Sequence, residues 1–230
     1  MIRAVFFDLV FTLGRIIDPI TMEHVSEILF QNGYHLSPQQ LDSAFSFTIF
    51  VDYLKKGFNS IEELFKNIFK LLDSDIDQDT FRQIIDVFMQ PKFTLYNDTV
   101  SAVTRLKELG MLTVIATTTP KCLFVPDILE LVEFIDYVFT GFEVGYDKSN
   151  PKYFEVIFNK LGIRPENTVV IGDNLKLDIE NSVKYGCKAI LLRRDGDFPD
   201  TEIPDYMVTN LTQSVKLIEE IMRSGAPAGI

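Results

Sequence analysis

Four short runs of this chain consist of apolar and β-branched residues with no polar alternation: Ala4-Val5-Phe6-Phe7, Leu112-Thr113-Val114-Ile115-Ala116, Thr168-Val169-Val170-Ile171 and Ala189-Ile190-Leu191-Leu192. A strand with one wet face alternates, so these runs predict strands covered on both faces, as in a parallel sheet packed between two helix layers. From Tyr96 onward such runs alternate with helical patterns, the order of an α/β fold. Val100, Val103, Leu106 and Leu109 form one helical face ending at Gly110, and Tyr137-Val138-Phe139 reads as a shorter strand. Asn150-Pro151 opens a helix running to Gly162, and another helix ends near Gly186. A loop rich in Asp, Gly and Pro spans Arg193 to Pro204, followed by a strand at Tyr206-Met207-Val208 and a helix from about Thr212 to Arg223. Gly225 to Ile230 is expected to fray.

Between the first two runs the pattern is different. From about Asp18 to Gln90 the signals are helical: Met22, Val25, Ile28 and Leu29 recur at helical spacing, and Ser37-Pro38-Gln39-Gln40 supplies an N-cap, a proline at the first helical position and a capping-box partner. Ser60 with Glu63 repeats the capping box ahead of Leu64, Ile68, Leu71 and Leu72, and Asp77 opens a run through Phe81, Ile84, Ile85 and Phe88. The phenylalanines of this stretch are expected to fill the core of a small helical bundle and to line its face toward the rest of the chain. The division that follows is an α/β core over residues 1–14 and 95–230, with an inserted all-helical domain over 15–94.

A hydrophobic share of 47% is ample for a packed core. Thirty-three acidic against 22 basic residues leave a net charge of −11, which disfavours nucleic acid and anionic membrane as partners. Cys122 and Cys187 lack any metal-ligand spacing and read as free, buried thiols. No signal-peptide pattern and no apolar run of bilayer length is present, so the expectation is a cytoplasmic protein. His24 and His35 have no partner cluster and read as surface or packing residues.

Asp8 stands where the first strand ends, at the sheet edge where open α/β folds bind ligands. Alone, such an acid is more readily a turn cap than a site residue. Further along, Thr117 follows the Leu112–Ala116 strand, Lys148 lies in the loop after Tyr137–Phe139, and Gly172-Asp173 with Asp178 follows Thr168–Ile171. All lie on the same edge. Three carboxylates, a lysine and hydroxyls suit a phosphate held beside Mg²⁺, because that ion takes oxygen ligands while lysine offsets phosphate charge. An aspartate can also act as the nucleophile and form an aspartyl-phosphate.

On these residues the chain resembles the haloacid dehalogenase superfamily, in the group with a helical cap inserted after the first motif. The first motif, Asp-x-Asp-x-Thr, corresponds to Asp8-Leu9-Val10-Phe11-Thr12; the second, a Thr or Ser after a strand, to Thr117; the third, a lysine before a proline-initiated helix, to Lys148 in Lys148-Ser149-Asn150-Pro151. The fourth corresponds to Gly172-Asp173 and Asp178. The resemblance implies a Rossmann-like, doubly wound core and a Mg²⁺-dependent phosphohydrolase acting on a small phosphorylated molecule. In that reading Asp8, Thr117 and Lys148 are catalytic. Asp8, Val10 through its carbonyl, Asp173 and Asp178 hold the metal, and Thr12, Thr117, Thr118 and Lys148 bind phosphate or substrate. It assigns no oligomeric state.

Position 10 departs from the pattern. Phosphatases of the family carry there an aspartate that protonates the leaving oxygen and activates water, and valine does neither. A positioned acid or base is worth roughly 10²- to 10⁴-fold, so alkyl esters should suffer most. Phe11 is a second departure, where a small residue, usually glycine, is expected. Three explanations follow: a phosphohydrolase of limited substrate range, acting on good leaving groups such as acyl phosphates or borrowing an acid from the cap or from water, a phosphate-binding or interaction module with little turnover, or a 2-haloacid dehalogenase. The last typically carries tyrosine at position 10 and a Ser-x-Asn variant of the fourth motif. A phosphorelay receiver domain lacks an insertion of this size.

Overall fold

The structure, a computed structural model, describes residues 2–90, 92–201 and 203–224; the Gly225–Ile230 segment lies outside the described residues. Its strands are β1 (Ala4–Phe7), β2 (Gly14–Ile17), β3 (Lys92–Leu95), β4 (Leu112–Ala116), β5 (Tyr137–Phe139), β6 (Thr168–Gly172), β7 (Lys188–Leu192) and β8 (Tyr206–Val208). The helices are α1 (Met22–Gln31), α2 (Pro38–Phe47), α3 (Tyr53–Lys56), α4 (Ile61–Leu71), α5 (Gln78–Phe88), α6 (Thr99–Glu108), α7 (Pro126–Glu133), α8 (Gly141–Val144), α9 (Lys152–Leu161), α10 (Asn181–Val183) and α11 (Leu211–Ser224).

Among the described residues, six strands form one parallel sheet in the order β5-β4-β1-β6-β7-β8. The unalternating runs are explained by its two covered faces. Val5 and Phe7 pack into one core with Ala102, Leu106, Ile128 and Ile218, whereas Ala4 and Phe6 pack into another with Phe154, Ile157 and Phe158. Strand β1 is central, paired with β4 on one side and β6 on the other. Its carboxyl end is therefore the point where the winding reverses, the crevice in which doubly wound folds bind ligands.

Helices α1 to α5 are inserted between β2 and β3 and bury a separate core around Leu29, Leu41, Leu64, Phe65, Ile68 and Ile84. Ser37 caps α2 with the expected reciprocal box, and Asp77 caps α5 by accepting from the amides of Asp79 and Thr80. The expected box at α4 is only half made: Ser60 accepts from Glu63 N, but the Glu63 carboxylate turns to Asn59 N at 2.8 Å. The insertion is not helical throughout. At its base β2 and β3 pair antiparallel, with Gly14 opposite Leu95 and Ile17 opposite Lys92.

Two packing expectations are corrected. Val100 is 45% exposed, because Thr99 turns inward and its hydroxyl donates to Leu13 O at 2.6 Å, rotating α6 so that Ala102 shares the buried face. Phe65 and Phe69 fill the insertion's core, but Phe30, Phe47 and Phe50 are exposed. Both cysteines are free, Cys187 buried and Cys122 half-buried, and burial pushes their thiols up to about 12 and about 11. Among the described residues no helix is long and apolar enough to cross a membrane.

Candidate active site

Four of the residues singled out above meet at the carboxyl end of β1, and a fifth, Thr117, lies in the loop after the neighbouring β4. Asp8 leaves the strand with its amide donating to Ile171 O at 2.9 Å, so the backbone ladder to β6 fixes the carboxylate's origin. Oxygens of Asp8, Asp173 and Asp178 lie within 4.8 Å of one another. The Lys148 ammonium contacts Asp8 Oδ1 and donates to Asp178 Oδ1 at 2.7 Å, and its side chain is 4% exposed. Thr117, beside this cluster in the loop after β4, is buried, and its hydroxyl accepts from Thr119 N at 3.1 Å; Thr118 is half-buried.

Local chemistry holds each group. Asp178 sits on a wide π-helical turn, Leu175–Glu180, whose first amides at Lys176 and Leu177 are capped by Asn174 Oδ1. Asp178 Oδ2 accepts in turn from Asn174 N at 3.1 Å. Gly172 makes room for this carboxylate, since a Cβ there would lie 2.4 Å from Asp178 Oδ2. Phe11 follows Asp8 in a left-handed turn with φ of 66°, which gives a steric reason for a glycine at that position.

Electrostatics follow from the crowding. Burial, and then the charges of Asp178 and Asp173, push the Asp8 carboxyl up to about 7 even though Lys148 pulls against them. Burial and Asp178 likewise push Asp173 up to about 6. Burial opposes the charge on Lys148, but Asp178 and Asp8 outweigh it and hold the ammonium firmly protonated. Three carboxylates facing one lysine leave negative charge uncompensated, and an all-oxygen donor set of this kind fits a hard divalent cation.

The remaining sequence candidates are distributed around this cluster. Thr12 is fully buried; its carbonyl accepts from Arg194 Nη2 at 2.8 Å, while its hydroxyl has no partner among the described residues. Val10 carries no polar side chain toward the cluster and instead forms part of an apolar cavity with Phe45, Phe88 and Leu123.

Four supporting residues escaped the sequence reading. Asn181 Nδ2 donates to Lys148 O at 2.7 Å, and the buried Tyr153 hydroxyl lies 3.1 Å from the carbonyls of both Thr117 and Phe139. Arg194 pairs with Asp98 through both terminal nitrogens and stacks 3.6 Å from the Tyr96 ring centroid. From the inserted helices, the Tyr53 hydroxyl bonds Thr140 Oγ1 at 2.9 Å and accepts from Lys121 N. Only Asn181 left a signal: it stands three residues after Asp178, on the same face of a helical turn.

The profile of the haloacid dehalogenase-like hydrolases matches residues 2–180. Glyceraldehyde 3-phosphate phosphatase of Pyrococcus furiosus is 24% identical over 232 aligned positions, covering 95% of this chain and 93% of its own. N-acylneuraminate-9-phosphatase of Homo sapiens is 31% identical over 91 positions, 38% of this chain and 37% of its own. Among solved structures, a HAD phosphatase from Thermococcus onnurineus superposes with a TM-score of 0.64 at 22% identity, covering 94% of this chain and 98% of its own. A 2-haloacid dehalogenase from Pseudomonas syringae superposes with a TM-score of 0.70 at 19% identity, covering 98% and 100%. Both share the fold.

Proposed function

Because this chain belongs to the haloacid dehalogenase-like hydrolases, we propose that it is a Mg²⁺-dependent phosphohydrolase of a small phosphorylated metabolite, working through an aspartyl-phosphate on Asp8. The observation that carries this reading is the convergence of Asp8, Asp173, Asp178 and Lys148 at the switch point of the sheet. The names of the relatives agree, since both denote phosphatases of small phosphorylated molecules.

In this reading Asp8 is the nucleophile. Lys148 orients its carboxylate and offsets the charge of the incoming phosphate, and Thr117, Thr118 and Thr12 serve the phosphate side of the site. Asp8, Asp173, Asp178 and the Val10 carbonyl would hold the cation. Mg²⁺, when bound, supplies the positive charge that lets an anionic carboxylate approach an anionic phosphate. Val10 provides neither acid nor base, so the chain's residues favour substrates whose leaving group departs unprotonated.

Val10 also favours a second reading, a phosphate-binding module with little turnover. A 2-haloacid dehalogenase is the weaker alternative, because that chemistry has no use for three clustered carboxylates. Release of phosphate from acetyl phosphate with Mg²⁺ decides among these. Turnover that Asp8→Asn abolishes, with circular dichroism unchanged, supports the phosphohydrolase. Tight phosphate binding without turnover would establish the binding module.

A further inference from the structure

A cavity of about 240 Å³ lies between the inserted helices, the β2–β3 ribbon and α7, and the two catalytic loops form part of its wall through Val10 and Thr119. Val10 stands two residues beyond Asp8, and Thr119 two beyond Thr117. Phe45 and Phe88 face it from the insertion, and the exposed Ile16 and Met89 are at its rim. All of its lining residues are apolar except Thr119.

Resting on the phosphohydrolase reading above, we infer that this cavity receives the organic part of the substrate, and that the substrate is a phosphate monoester of a small, apolar aryl alcohol. Size, polarity and reactivity each point to this class. An engineered apolar cavity of about 150 Å³ holds a benzene ring, so 240 Å³ accommodates one substituted ring. A polyhydroxylated leaving group would exchange its water hydrogen bonds for a single threonine hydroxyl; apolar pockets reject an added hydroxyl by up to roughly a hundredfold.

The chemistry at position 10 selects the same class. As the bond from Asp8 Oδ to phosphorus forms, the ester P–O bond breaks and its electron pair leaves on the aryl oxygen. That oxygen departs as a phenolate and needs no proton from the enzyme, whereas an alkoxide does. Water then attacks the phosphorus of the aspartyl-phosphate. The acyl P–O bond breaks, Asp8 is regenerated as a carboxylate, and inorganic phosphate and a proton pass to solvent. An aspartate at position 10 would introduce a carboxylate into the apolar wall, so the same valine shapes both the pocket and its reactivity.

The test compares phenylphosphonate with methylphosphonate as inhibitors of acetyl phosphate hydrolysis in the wild-type protein with Mg²⁺. Neither compound contains a leaving group, so the ratio of inhibition constants reads the cavity alone. Phenylphosphonate should bind at least tenfold more tightly. Equal inhibition by the two overturns the aryl assignment while leaving the phosphohydrolase reading intact; absence of both turnover and phosphonate binding overturns both. In a second measurement, Ile128→Asn, checked for folding by its thermal transition, should reduce the preference toward unity, and a preference it leaves unchanged removes the cavity as the ring's site.

Discussion

Lys148 Nζ stands 2.7 Å from Asp178 Oδ1, both side chains are at most 4% exposed, and the same ammonium contacts Asp8. One cation thus holds together the buried Asp178 and the half-buried Asp8, from loops that are 170 positions apart in sequence. Replacing it by Met leaves those acids facing each other unpaired. Removal of one partner of a buried pair costs about 3–5 kcal/mol. Lys148→Met should therefore melt well below the wild type without Mg²⁺ and recover part of the loss when Mg²⁺ is added; differential scanning calorimetry reads both.

The carboxyls of Asp8 and Asp173, raised from 3.8 to about 7 and about 6, bind protons more tightly folded than unfolded. Their contribution favours the folded state below about pH 4 and is lost as pH rises toward 7. A cation offsets the repulsion only once the acids ionise. The increase in melting temperature on adding Mg²⁺ should accordingly be larger at pH 8 than at pH 5, and an equal increase at both would contradict the assignment.

Phe11 holds φ at 66° with its side chain 56% exposed, so it carries left-handed strain with little packing in return. Phe11→Gly should stabilise the protein by roughly 1 kcal/mol, a rise of about 2–4 °C for a chain of this size. Urea titration gives the free-energy change directly.

Arg194 grips the loop after β1 from outside, with Nη2 on the Thr12 carbonyl, two bonds to Asp98 and a stack on Tyr96. Its side chain is only 19% exposed. Arg194→Ala should cost about 2–3 kcal/mol and weaken kcat more than KM, because Thr12 lies on the turn that follows Asp8, the proposed nucleophile. Arg194→Lys keeps the charge but not the planar fork, and should recover less than half of the loss.

The strands were legible because both faces of the sheet are covered, which leaves Ala4–Phe7 and its neighbours without alternation. Asp8, Thr117, Lys148, Asp173 and Asp178 were legible for a related reason: each sits just past a strand on one edge, where residues far apart in sequence converge. Tyr153 and Arg194 were not legible, because each serves a backbone carbonyl, and any carbonyl looks the same in the sequence; Asn181 left only its spacing from Asp178. The β2–β3 ribbon was missed because Gly14–Ile17 finds its partner only after the whole insertion has intervened. The cavity beside Val10 draws its wall from residues as distant as Ile16, Phe88 and Ile128, so its apolar character emerges only in three dimensions.

The central strand is also the first to be synthesised. Ala4 pairs with Leu112 and Thr168, so β1 leaves the ribosome long before either neighbour exists. At about 5–20 residues per second that delay is roughly five to thirty seconds. The helices of the insertion have a core of their own and emerge during the interval. A wholly apolar strand ending in Asp8 therefore stays unpaired through that interval, and the cluster of Asp8, Lys148, Asp173 and Asp178 cannot form until Asp178 has been made. In vivo yield should then depend on how well β1 is shielded during translation.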